Sequence, residues 1–350
     1  MRPITYLRAT DAANAVEAVT TDPTSDFLAG GTTEVDLLRQ EVLHPRRLVD
    51  INDLPLTGIE GTPDGGLRIG ALARMSDVAA APVVRDRFPM MAQALESGAS
   101  PQLRNMASMG GNLLQRVRCS YFRDAESPCN KRDPGTGCSA VEGFSRGHAV
   151  LGTSDHCIAT HPSDLAVALV ALDARVHTVG PKGERTYAVD DFFLLPGDSP
   201  HLEHPMEHGE LITGIDVPAT PVARQSLYLK IRDRASYEFA LVSVAAALSV
   251  VDGTIADVRM ALGGVATKPW RARRAEDFLV GAANDPDSYA MAARVEMADA
   301  RPTPMNAFKV ELAQRAIVRA LRTLGDGGAT GAASQPETGT APHPETGSPS

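Results

Sequence analysis

Four cysteines, Cys119, Cys129, Cys138 and Cys157, make up the whole cysteine complement of a 350-residue chain and fall within one 39-residue window. Thiols serving separate structural positions would scatter, so the clustering points to one shared site. The spacing C-x9-C-x8-C-x18-C has neither the tight run of bacterial ferredoxins nor the C-x2-C knuckles common in structural zinc sites. Four thiolates around a [4Fe-4S] cluster need only a backbone that can converge, and the run Pro134-Gly135-Thr136-Gly137 permits such wrapping. A cluster is therefore favoured, with zinc, disulfides and inert thiols as alternatives. His148, His156 and His161 lie close by. Four thiols already saturate four irons, so hydrogen bonding or surface solvation is expected of these histidines.

A second chemistry is suggested by glycine turns. Phe27-Leu28-Ala29-Gly30-Gly31-Thr32-Thr33-Glu34 places two glycines after a strand and before a helix, where successive backbone N–H groups can cradle phosphate. It is neither a Rossmann fingerprint nor a Walker loop, and an ordinary tight turn is the alternative. Ala107-Ser108-Met109-Gly110-Gly111-Asn112 offers a hydroxyl and further open backbone N–H groups, so the two turns together suggest a long diphosphate ligand. Asp164 either completes a helix cap or takes hydrogen bonds from ligand hydroxyls. Lys230 and Arg232 alternate with Leu229 and Ile231 as two solvated residues of a strand. His201, His204 and His208 resemble a metal triad, but Pro205 interrupts any helix that would align them, which makes a surface loop the expectation. No nucleophile elbow, H-E-x-x-H or paired catalytic carboxylates occur.

The elements that must position these residues alternate. Strand 4–7, a helix carrying Ala12, Val16 and Val19, and strand 26–29 form a βαβ opening. A helix with Val35, Leu38 and Val42 and a strand at 48–51 follow, and the alternation predicts parallel pairing. Strand 67–72, helix 88–97, helix 163–172 with a Ser163-Asp164 start, and strands meeting at Gly180-Pro181-Lys182-Gly183 complete the first part. Between Ala99 and Thr160 periodicity is lost. After strand 211–217, residues 218–221 form a boundary. Strands at 228–231, 241–251 and 254–263 then read as an antiparallel meander, covered by helices near Ala275 and at 306–324. The fold class is α+β. Residues 325–350 contain no Val, Ile, Leu, Met or aromatic residue and repeat Pro-Glu-Thr-Gly, the composition of a disordered tail.

A net charge of −9 provides no global positive field for nucleic acid. The longest strongly apolar stretch, 239–251, is too short to cross a hydrocarbon layer, so no membrane insertion is expected. The first ten residues show neither an apolar export segment nor a twin-arginine pair. A cytoplasmic protein is expected, or a periplasmic one exported with a signal-bearing partner.

LAGGTTEVDLL, RNMASMGGNLLQR, the four-cysteine segment and ATHPSDLAVAL together resemble the FAD-binding medium subunit of the xanthine dehydrogenase and molybdenum aldehyde oxidoreductase family. The resemblance spans residues 1–324 and looks closest to the periplasmic-type aldehyde oxidoreductase branch, in which an inserted loop carries a [4Fe-4S] cluster. It implies a two-lobed vanillyl-alcohol-oxidase (PCMH)-type FAD-binding domain at 1–218 with the cluster loop at 115–160. A smaller CO-dehydrogenase-flavoprotein-like domain at 222–324 and the tail at 325–350 would follow. Carried over residue by residue, the pyrophosphate loop falls on Leu28, Ala29, Gly30, Gly31, Thr32, Thr33, Glu34 and Val35. Further FAD contacts fall on Ser108, Gly110, Gly111, Asn112, Asp164, Ile212 and Lys230. Thr32 stands where many relatives place Asn. The cluster ligands fall on Cys119, Cys129, Cys138 and Cys157.

The same resemblance implies a heterotrimer in which a molybdenum-cofactor large subunit oxidises an aldehyde and a [2Fe-2S] small subunit relays electrons to FAD on this chain. Lys230 beside the flavin would favour its anionic reduced form. Alternatives are the equivalent subunit of a hydroxybenzoyl-CoA reductase, a free-standing flavin reductase, or a zinc-stabilised scaffold without flavin.

Overall fold

The computed structural model describes residues 3–327. Near its start the Asp11 carboxylate accepts from the Asn14 backbone N–H at 2.8 Å and opens helix Ala12–Thr20, whose Ala15, Val16 and Val19 are buried. Strand Arg47–Asp50 lies centrally between Thr5–Arg8 and Ser25–Leu28 in a parallel sheet, the pairing that helix–strand alternation predicts. The intervening helix is short, Glu34–Arg39; it buries Leu37 and Leu38 and turns Val35 to solvent, against the expected face. Beside this small lobe stands a five-stranded antiparallel sheet ordered Ile59–Gly61, Leu67–Gly70, Leu211–Val217, Arg175–Gly180 and Gly183–Ala188.

Ser163, not Asp164, caps helix Asp164–Ala171, accepting from Ala166 N at 3.0 Å. Every residue of that helix after Asp164 is buried, within the core it shares with helix Pro89–Ser97 and with both neighbouring sheets. This explains its continuous apolar sequence, which carries no amphipathic stripe.

The second part is a four-stranded antiparallel sheet, Ser226–Ile231, Val242–Val251, Thr254–Gly263 and Trp270–Arg271, in the expected meander order. Helices Arg273–Leu279, Pro286–Glu296 and Phe308–Gly327 accompany it. Pro286–Glu296 was not anticipated, although Asp285 caps Ser288 N at 2.8 Å and Pro286 occupies the first turn, both ordinary start signals. The last helix continues through Gly327, three residues into the expected tail; the remainder of that tail, residues 328–350, lies outside the described residues. Among the described residues no helix is long and apolar enough to cross a membrane.

Candidate functional site

The Gly30-Gly31 turn is held from three sides. Asn52 Nδ2 donates to Ala29 O at 3.0 Å, and Arg74 bridges Asn52 Oδ1 at 2.8 Å to Met106 O at 2.6 Å. A side chain on Gly30 would overlap the same Met106 carbonyl, and Gly31 sits at φ +68°, where glycine is strain-free. Two hollows meet at this turn. One, of about 1150 Å³, is lined by Ala29, Gly30, Gly31, Glu34, Ser108, Gly110 and Ile212 among others. Another, of about 950 Å³, is lined by Asn112, Asp164, Lys230 and the segment Tyr237–Phe239 among others. Thr32, Thr33 and Gly111 line both, so the two hollows form one elongated cleft. Of the fifteen residues expected to hold the cofactor, Leu28 and Val35 are absent from its walls.

The walls are polar and partly unpartnered. Among the described residues, Glu34 Oε1, Arg118 Nε and Glu238 Oε2 are buried without a hydrogen-bond partner, and all three side chains belong to residues lining the cleft. Burial, with Asp26 close by, pushes the Glu34 carboxyl up to about 7, so it can donate as well as accept near neutral pH. Ser108 Oγ accepts from Gly111 N at 3.2 Å, and Ser163 Oγ donates to Asn112 Oδ1 at 2.6 Å, which locks the second glycine turn to the Asp164 helix.

Lys230 is not solvated. Its ammonium donates to Asp164 Oδ2 at 2.7 Å and Ser97 O at 3.0 Å, while the Tyr228 hydroxyl donates to Asp164 Oδ1 at 2.6 Å. Only 4% of the lysine side chain is exposed. Arg232 Nη1 also reaches Ser97 O, at 3.1 Å. Both basic residues point at helix Pro89–Ser97, which covers the face that strand alternation alone assigns to water. Because Asp164 balances the ammonium, the cleft wall there carries an ion pair in place of a free cation.

The four cysteines line a single small cavity, walled by Val117, Phe122, Ala140 and Ala159 among others. Cys129 and Cys138 face each other across a two-residue antiparallel bridge. Arg132 and Asn130, neither of which has a recognisable motif, organise the loop. The Arg132 guanidinium donates to the carbonyls of Tyr121 (2.9 Å), Phe122 (3.0 Å), Asp124 (2.7 Å), Ala125 (3.3 Å) and Ser127. Asn130 Oδ1 accepts from Gly135 N and Gly137 N at 3.2 and 2.8 Å, and its Nδ2 donates to His156 O at 3.2 Å. Burial pushes the Cys119 thiol up to about 11 and raises that of Cys157. Lys131, which lines the same cavity, works against this rise at Cys157. Arg132→Gln should uncover the loop: a loss of about 2–4 kcal/mol in thermal or urea unfolding, with all four thiols titrating in the native chain. An unchanged melting curve would remove Arg132 from this role.

The histidines separate. His148 Nε2 lies 3.2 Å from Cys119 Sγ, His156 is partly exposed with Nε2 3.4 Å from Asp198 Oδ1, and His161 sets its ring edge-on to Phe193. His204 stacks on Phe192, His208 Nε2 sits 2.9 Å from Val19 O and His201 is exposed, so no triad forms. Among the described residues no three His, Cys, Asp or Glu side chains are grouped to hold a single metal ion.

A family model described as the FAD binding domain in molybdopterin dehydrogenase matches residues 2–220, and one described as the CO dehydrogenase flavoprotein C-terminal domain matches residues 227–324. The chain belongs to the FAD-binding subunits of the molybdopterin dehydrogenases. These medium subunits of molybdenum hydroxylases include the aldehyde oxidoreductase FAD-binding subunit PaoB of Escherichia coli K12, 48% identical over 323 residues, or 92% of this chain and 98% of that protein. The glyceraldehyde dehydrogenase medium chain of Sulfolobus acidocaldarius is 28% identical over 79% of this chain and 80% of its own. In fold, the carbon monoxide dehydrogenase structure from Hydrogenophaga pseudoflava superposes with a TM-score of 0.72 at 24% identity, over 92% of this chain and 96% of that one. Quinoline 2-oxidoreductase of Pseudomonas putida 86 does so at 0.72 and 22%, over 93% and 98%.

FAD fits the molybdopterin dehydrogenase cleft seen here. A turn closed to any side chain at Gly30 and three buried polar atoms without partners are what a long dinucleotide would complete. The second turn, against expectation, spends the N–H groups of Gly110, Gly111 and Asn112 on Ala71 O, Ser108 Oγ and Ser108 O, so it offers shape and side chains in place of open donors.

Proposed function

We propose that this chain is the electron-transfer flavoprotein subunit of a molybdenum-containing aldehyde oxidoreductase, and that it carries a [4Fe-4S] cluster in addition to FAD. The observation that carries the proposal is the meeting of all four thiols around one cavity, separated from the cleft by a single step of the chain: Arg118 lines the cleft and Cys119 the cavity. The 48% identity to an aldehyde oxidoreductase subunit supports the substrate class.

In this reading Ala29 to Glu34, Ser108, Gly110, Gly111, Asn112, Asp164, Ile212 and Lys230 form the FAD site, with Leu28 and Val35 flanking the turn outside its walls, and Cys119, Cys129, Cys138 and Cys157 the cluster site. The flavin unit covers 1–218 with the cluster loop at 115–160, and the C-terminal unit covers 222–324. A molybdenum-cofactor large subunit and a [2Fe-2S] small subunit complete a heterotrimer. FAD, when bound, stores two electrons, so single electrons arriving from the partner can leave to an acceptor as a pair. The chain's own residues hold it: the Gly30-Gly31 turn presents its backbone to the phosphates, and Tyr237, Glu238 and Phe239 help line the cleft.

The test is an absorption spectrum with iron, sulfide, zinc and flavin analysis of the anaerobically purified chain. A flavin peak pair over a broad iron–sulfur shoulder, with about four irons per chain, is expected. Cys129→Ala should lose the shoulder and most of the iron while keeping FAD. A colourless chain with stoichiometric zinc sinks the proposal.

A further inference from the structure

We infer that His148 is the positioning residue of the cluster site, donating the hydrogen bond that sets the electron affinity of the Cys119 sulfur, and that helix Phe308–Gly327 fixes it there. The inference rests on the cluster reading above. His148 is buried, with Nε2 3.2 Å from Cys119 Sγ and the Ser145 backbone as the other polar neighbour of its ring. A neutral imidazole carries one N–H. A sulfur ligating iron has no proton to give, so a hydrogen bond between the pair requires the imidazole proton on Nε2. Reduction places an extra electron on the cluster and makes its sulfurs better acceptors; a fixed donor therefore stabilises the reduced form more than the oxidised one and raises the midpoint potential.

The backbone around this ring is gripped from outside the cluster loop. Lys309, at 0% exposure and with no carboxylate within ion-pair distance among the described residues, donates through Nζ to Gly147 O at 2.9 Å, His148 O at 3.0 Å and Gly264 O at 2.7 Å. Asn306, also at 0% exposure, reaches His148 O and Ala149 O through Nδ2 at 3.3 and 3.2 Å. An ammonium buried against carbonyls alone is expensive, and a helix start could be tied to a loop with neutral side chains. Here its two loop contacts fall on His148 and the residue before it, which removes the freedom of the ring to swing away from sulfur. The C-terminal part of the chain thereby takes a share in the redox site.

The experiment uses the full chain purified anaerobically, as the parent and as His148→Leu, His148→Gln and Lys309→Met. Iron, sulfide and FAD content are measured first, then the cluster midpoint by electron paramagnetic resonance during redox titration. His148→Leu should keep its iron while reduction becomes at least tenfold less favourable, about 59 mV for one electron. His148→Gln, whose amide can still donate, should recover part of the difference, and Lys309→Met should shift in the same direction by less. Iron-loaded His148→Leu at the parent potential overturns the inference. If leucine costs the chain its cluster, Lys309→Met decides by the same measurement. A parent chain without iron sinks the cluster reading itself, a result distinct from an iron-loaded chain whose potential does not move.

Discussion

Gly30→Ala is expected to strip the chain of FAD. The added methyl would overlap the Met106 carbonyl oxygen and crowd Ala107 Cα, both of them backbone, so no side-chain rotation relieves the clash. Met106 O is in turn pinned by Arg74, which is tied to Asn52 and through it to Ala29. The turn must therefore move as a unit away from the Ser108–Gly111 wall, widening the gap across which a diphosphate would be gripped. Losing two hydrogen bonds to a charged phosphate, at about 1.5–3 kcal/mol each, weakens binding by roughly 100-fold or more. Overpacking adds about 1–3 kcal/mol to the loss of stability. Flavin absorbance per purified chain and a fluorescence titration with added FAD measure the first effect, and urea unfolding the second. Gly147→Ala is the matched control, because a Cβ there meets nothing within 4 Å and the backbone is not in the left-handed region. Full flavin content in Gly30→Ala would show that the turn is not the phosphate site.

The Gly30-Gly31 turn was legible in the sequence because its requirements are local: a strand, two small residues and a helix in immediate succession. The gathering of the four cysteines around one cavity was legible for a related reason, since all four thiols lie in one loop and only the loop has to fold back. Asp164 and Lys230 were ambiguous because neighbours in sequence say which face a side chain occupies but not what covers that face. Strand alternation placed Lys230 away from Leu229; only the packing of helices Asp164–Ala171 and Pro89–Ser97 showed that this side is dry. Asn52, Arg74, Asn130, Arg132 and Lys309 escaped altogether. Each acts largely on backbone carbonyls, which every residue possesses, so no pairing of residue types marks the partner. Helix Pro286–Glu296 differs, because its start signals are local: Asp285 at the cap and Pro286 in the first turn.

Asp164→Asn is expected to cost about 3–5 kcal/mol of stability, the range for removing one partner of a buried ion pair. The substitution preserves volume and leaves the Lys230 ammonium, 4% exposed, facing an amide oxygen and the Ser97 carbonyl in place of a carboxylate. Tyr228 loses an anionic acceptor at the same time, having had its own ionisation pushed well above the usual phenol range by burial and by that carboxylate. Most of the penalty is that of stranding a charge, so removing the charge should return it. Lys230→Met alone strands the carboxylate, whereas Asp164→Asn with Lys230→Met should come back to within about 1–2 kcal/mol of the parent, the behaviour of a coupled pair in a double-mutant cycle. Urea unfolding of the four proteins gives the coupling energy directly. The cycle also separates two roles for the lysine. If Lys230 acts on the cleft as a free cation, Lys230→Met lowers the bound-flavin potential and Asp164→Asn raises it, with effects that add. If the pair acts as one neutral unit, both single variants lose stability and flavin together, and the double variant recovers both. The 2.7 Å contact and the dry surroundings favour the second outcome. Additive energies in the cycle would return Lys230 to the electrostatic role.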